Sequence, residues 1–73
     1  MTLQEKIDMI EDIMDVDEGT LTSETVLSEL EEWDSLSTLS LTVTMRNRFG
    51  VTLTTDIIKS FEKVADICAY IPD

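Results

Sequence analysis

Few side chains in this sequence are equipped for chemistry. It has no histidine, which removes histidine-based catalytic triads and most zinc sites. Its one cysteine, Cys68, sits on an apolar stripe near the C-terminus, where a buried core thiol is expected rather than a nucleophile in an electropositive setting. The run Asp15-Val16-Asp17-Glu18-Gly19 has the look of a calcium loop, but the spacing fails. Counted from Asp15, positions six and twelve are Thr20 and Val26, where an EF-hand needs Gly and Glu. No dedicated metal site is expected. Adjacent carboxylates such as Glu31 and Glu32 would need a pocket that moves their pKa values before they could act as acid and base, and so short a chain seldom builds one. Ser35 remains. It follows Asp34, a natural helix cap, and opens a helical segment, so a phosphate borne on its hydroxyl would lie at the positive helix end. By placement alone it could equally be an ordinary first-turn serine.

The elements that position these residues follow from periodicity. Leu3, Ile7, Ile10 and Met14 share one helical face over residues 2–14, Ile13 widens it, and Thr2 with Glu5 makes a capping box. Residues 15–34 read as a long loop with apolar anchors at Leu21, Val26, Leu27 and Leu30, and a short helical turn is expected near Ser23–Leu27. Asp34 caps a second helix from Ser35 to Phe49, stopped by Gly50. Val51–Thr54 alternates like a strand but has no partner strand, so it reads as an extended connection. A helical turn at Thr55–Lys59 precedes a last helix over Glu62–Ile71, ended by Pro72. The expected fold is all-α, a small bundle of three main helices plus one short helix, with a long loop between the first and second. At 73 residues, 1–73 should form a single domain. The longest apolar run is Ile67–Ile71, which excludes a membrane span, and the start MTLQEKID is not that of a signal peptide, so the cytoplasm is the expected compartment.

Charge is unevenly distributed. The net charge is −11, and residues 1–34 hold twelve acids against Lys6 alone, while residues 35–73 balance. Such a surface repels nucleic acid and anionic lipid and attracts basic partners; a merely solubilising face is the competing reading. The second helix carries two apolar stripes. Leu41, Met45 and Phe49 share one side, and Leu36, Leu39 and Val43 the nearly opposite side. Either the helix is central and buries both, or the second stripe faces a partner.

Trp33-Asp34-Ser35-Leu36-Ser37 resembles the Asp-Ser-Leu motif of acyl carrier proteins. The resemblance extends over nearly the whole chain. It takes in the first amphipathic helix, the long loop, Phe49 closing the second helix, and Phe61-x-x-Val64-x-Asp66-Ile67-x-x-Tyr70-Ile71 at the end. It implies a carrier without catalytic activity of its own. Ser35 would bear 4′-phosphopantetheine, taken from coenzyme A, as a phosphodiester, and the arm would hold acyl groups as thioesters. Asp34 matches the motif aspartate and Leu36 the motif leucine. Leu41, Met45 and Phe49 would lie in the core beneath the second helix, and Ile57, Ile58, Phe61 and Val64 would wall an acyl-accepting cleft.

Implied partners are a phosphopantetheinyl transferase and the enzymes that load and transfer acyl groups, with the carrier itself monomeric. Docking would use Leu39, Val43 and Arg46 of the second helix together with Glu31 and Glu32 of the acidic loop. Fatty-acid members of the family usually carry acids along the second helix. Here Ser37 and Ser40 replace them, and Arg46 and Arg48 make the segment basic. That departure points to a specialised pathway, fatty-acid or polyketide-like or one that modifies a lipid or polysaccharide. An aminoacyl carrier, for instance of D-alanine, is the alternative, although such carriers often have a different residue in the place of Leu36. A helix-docking module without a prosthetic group and an acidic metal-buffering protein are the others.

Overall fold

The computed structural model describes residues 1–72. Four α-helices follow in order: α1, Leu3–Met14; α2, Ser35–Phe49; α3, Thr55–Ser60; and α4, Val64–Cys68. The all-α expectation holds, with three longer elements replaced by two long and two short ones. Among the described residues the one extended pairing is an isolated antiparallel bridge between Val26 and Lys63.

The capping grammar of the sequence is realised. The Thr2 hydroxyl accepts from the Glu5 N–H at 3.2 Å, and the Glu5 carboxylate accepts from the Thr2 N–H at 3.0 Å. That pair of bonds holds the Glu5 carboxyl below the usual carboxylate range, with the Thr2 backbone N–H the larger cause. α2 begins and ends where its cap and glycine predict. Gly50 sits at φ 67°, in the left-handed region that favours glycine, and its N–H closes on Arg46 and Met45 carbonyls.

Two expectations shift. The helical turn in the loop is a 3-10 turn at Leu27–Glu29 rather than at Ser23–Leu27. The cause is non-local. Ser23 and Glu24 form a tight turn closed by Thr25 N–H to Thr22 C=O at 3.1 Å, and the segment is bonded to the α3–α4 junction, with Leu27 N–H to Glu62 C=O at 2.8 Å, Val64 N–H to Thr25 C=O at 3.0 Å and Ala65 N–H to Ser23 C=O at 3.0 Å. The last helix is shorter than Glu62–Ile71. The Asp66 carboxylate takes the N–H groups of Glu62 and Lys63 at 2.9 and 3.0 Å, which fixes the start at Val64, two residues later. After Cys68 the chain passes into turns, with Tyr70 N–H to Ile67 C=O and Ile71 N–H to Cys68 C=O.

The core lies where α1 meets α2 and α4. Ile10, Leu27, Leu41, Met45, Val64 and Ile67 are its most completely buried side chains. Phe61 and Tyr70 stack edge to face at 5.4 Å. Cys68 is 4% exposed, as the sequence predicts, and burial pushes its thiol up. Glu11 is an unforeseen member of the interior at 2% exposure. One carboxylate oxygen accepts the Leu21 N–H at 2.8 Å, tying the long loop to α1, while Oε1 has no protein donor.

Candidate functional site

Ser35 is the first residue of α2 and is exposed. The residue before it sets this geometry. Asp34 is extended at φ −127°, and its Oδ1 accepts the Ser37 N–H at 3.0 Å, so the chain turns into the helix with the Ser35 side chain outward. The Ser37 hydroxyl donates to the Glu32 carbonyl, and the Thr38 hydroxyl donates to the Ser35 carbonyl at 3.0 Å. Glu32 is thereby fastened to the first turn of α2. Trp33 is half-buried against the core and holds the same stretch from the other side. Glu31, Glu32 and Asp34 remain exposed around Ser35.

The two-stripe question on α2 is decided by burial. Leu41 and Met45 are in the core, and Phe49 packs partly against it. Leu36, Leu39 and Val43 are 74%, 60% and 47% exposed. The helix is not central. Arg46 is exposed, and by helical geometry it falls on the same side as Leu39. Ser37, which stands where fatty-acid members carry an acid, is buried and bonded to the loop through the Glu32 carbonyl. Arg48 lies about 200° further round than Arg46 and sits over the Phe49 ring at 5.6 Å.

The residues expected to wall an acyl cleft lie in or against the core. Phe61 and Val64 are core, and Ile57 and Ile58 pack onto it. The concavity beside Ser35 lies on the other flank, between the end of α1 and the start of α2, and is lined by Ile13, Met14, Asp15, Glu32, Leu36 and Ser40 among others. Sequence reasoning missed Ile13, Met14 and Asp15 as neighbours of the serine. Asp15 carried the available signal, since an acid just past a helix can take the left-handed cap, and here it does, at φ 57°. Glu11 was missed as well, although it stands four residues after Ile7 on the buried face of α1.

The arrangement suits a covalent phosphate-linked arm. An outward hydroxyl stands at the positive end of a 15-residue helix, beside a groove that adjoins the exposed apolar stripe at Leu36. Among the described residues no group of three or more acidic or thiol side chains is arranged to hold a metal ion, and no helix is long and apolar enough to cross a membrane.

Neither a curated protein nor a solved structure gives a significant match to the chain. A protein-family model does. The model for the phosphopantetheine attachment site matches residues 7–71, from the core face of α1 to the last buried isoleucine. Domains of this kind bear a 4′-phosphopantetheine prosthetic group, interact with modifying and acyl-handling enzymes, and are generally not catalytic. With nearly all of its length matched, the chain belongs to the phosphopantetheine attachment site family and is a carrier protein of the acyl or peptidyl carrier type.

Proposed function

We propose that residues 1–73 form one carrier domain, without activity of its own, that takes 4′-phosphopantetheine on Ser35. In this reading it presents acyl groups to the enzymes of a specialised cytoplasmic pathway. The observation that carries this is Ser35 itself, exposed at the start of α2 and turned outward by the Asp34 cap. When bound, the group supplies a mobile thiol able to hold acyl cargo as a thioester. The chain's own residues do the rest. Ser35 Oγ provides the attachment oxygen, losing its proton as its new bond to phosphorus replaces the pyrophosphate bond of coenzyme A and adenosine 3′,5′-bisphosphate leaves. Asp34 keeps that oxygen accessible by engaging the Ser37 N–H. Glu31 and Glu32 attract basic enzyme surfaces, and Leu39 and Val43 give them apolar area to cover.

An aminoacyl cargo is the second reading. The groove beside Ser35 combines Asp15, Glu32 and Asp34 with Ile13 and Met14, a lining suited to a small group with an ammonium. The filled core beneath α2 offers little room for a long chain.

Intact-mass measurement after incubation with a phosphopantetheinyl transferase and coenzyme A tests the assignment. The chain should gain one phosphopantetheine, and Ser35→Ala should gain none while keeping its helical circular dichroism. An unmodified wild-type chain, or a modified Ala variant, would overturn it. A monomeric module without a prosthetic group would stay at its original mass.

A further inference from the structure

Three features together describe more than a generic docking face. At the N-terminal end of α2, Glu29, Glu31, Glu32 and Asp34 are all exposed. Along the middle, Leu36, Leu39 and Val43 are the large apolar side chains that α2 leaves to solvent. At the far end stands Arg46, exposed and aligned with that stripe, about 16 Å along the helix axis from Ser35. The order along one helix is therefore acidic, apolar, basic. Arg48 does not belong to it, being round the helix over Phe49.

We propose that α2 selects a partner with the reverse order: a cluster of bases that meets the acidic loop, an apolar patch over Leu39 and Val43, and a carboxylate opposite Arg46. The inference rests on the carrier reading and names the kind of enzyme surface that reading requires. Arg46 sets specificity in it. A partner whose surface is basic throughout, the obvious match for a chain of net charge −11, meets repulsion at Arg46. A second copy of the chain is a poor occupant. Antiparallel pairing would bring one Arg46 onto four acids at each end, leaving three unmatched and joining two bodies of like charge.

The sign of one charge reversal tests this. The probe is the enzyme that acylates the loaded carrier, purified from the source cells by that activity. Wild type and the Arg46→Glu variant are first converted with transferase and coenzyme A, and the gain in mass is verified for both. Failure at that step rejects the carrier reading itself, and the inference with it. Once both are loaded, Arg46→Glu should raise the KM for acylation about tenfold with kcat unchanged, and its melting temperature should match wild type. Leu39→Ser should weaken the same step without loss of stability. An unchanged or lower KM for Arg46→Glu would overturn the proposal, because it would show no carboxylate at that end. A concentration-dependent dimer of the free chain in sedimentation, broken by Arg46→Glu, would overturn it in favour of self-association.

Discussion

Glu11 is the residue whose placement has the widest effect. It spans two distant parts of the chain, accepting the Leu21 N–H from within α1 while its other oxygen has no protein donor. Removing the acceptor leaves a buried N–H unpaired, which costs about 1–3 kcal/mol. Glu11→Ala should lower the urea midpoint accordingly and speed hydrogen exchange at the Leu21 amide. Glu11→Gln, which keeps an acceptor in place, should lose much less. A Glu11→Ala variant as stable as wild type would show that the loop is held by Leu21 and Leu27 packing alone.

The helices divide by what determines their ends. α2 could be read from the sequence to the residue, because Asp34 and Gly50 act through bonds to their own neighbours. α1 was equally plain, through Thr2 and Glu5. α4 was not. Its apolar spacing continues through Ile71, which is indeed buried, but the backbone there has left the helix for turns. Periodicity reports which side chains face inward, not which hydrogen bonds the backbone makes. The turn at Leu27–Glu29 was displaced for a related reason. The backbone groups of Ser23, Thr25 and Leu27 are bonded to partners some forty positions away, at Glu62, Val64 and Ala65, so they do not continue a helix. The candidate site divides in the same way. The Asp34 cap before Ser35 and the two apolar stripes of α2 were evident from local order, whereas which stripe is exposed and the groove walled by Ile13 and Met14 depend on how α1 lies against α2.

A pH dependence belongs to this scale too. The Lys63 and Glu62 N–H groups hold the Asp66 carboxyl below the usual range. A group whose pKa falls on folding contributes stability that is complete above its unfolded value, near pH 4, and is lost as the pH drops through the lowered folded value. Melting temperature should therefore fall on acidification below about pH 4. Asp66→Asn should start lower at pH 7 and fall less, and an identical slope in the two proteins would remove the α4 cap as a cause. Lys63 works in the opposite direction. Its raised pKa, chiefly from the Glu24 hydrogen bond, makes a contribution lost only at strongly alkaline pH. That pair is solvent-exposed and adds little.

For the whole molecule the governing quantity is the excess of acids. Five bases cannot pair sixteen acids, and the surplus sits in residues 1–34. Self-repulsion of that half opposes folding and is screened over about 10 Å at 0.1 M salt. The melting temperature should rise between 10 and 200 mM sodium chloride, roughly in line with that screening. A flat or falling profile would mean that local hydrogen bonds, such as those of Glu5 and Glu11, already offset the crowding. The same surplus governs encounter with partners. Association should slow with salt even as the free protein becomes more stable.

Cys68 has a consequence of another kind. The chain's single native sulfhydryl is shut inside the core and kept protonated by that burial. A delivery vehicle with a second reactive sulfur in reach of its freight could short-circuit, passing the load to itself and stranding it there. On the proposed carrier reading, closing Cys68 away would leave the tethered thiol as the one reactive sulfur within reach of cargo.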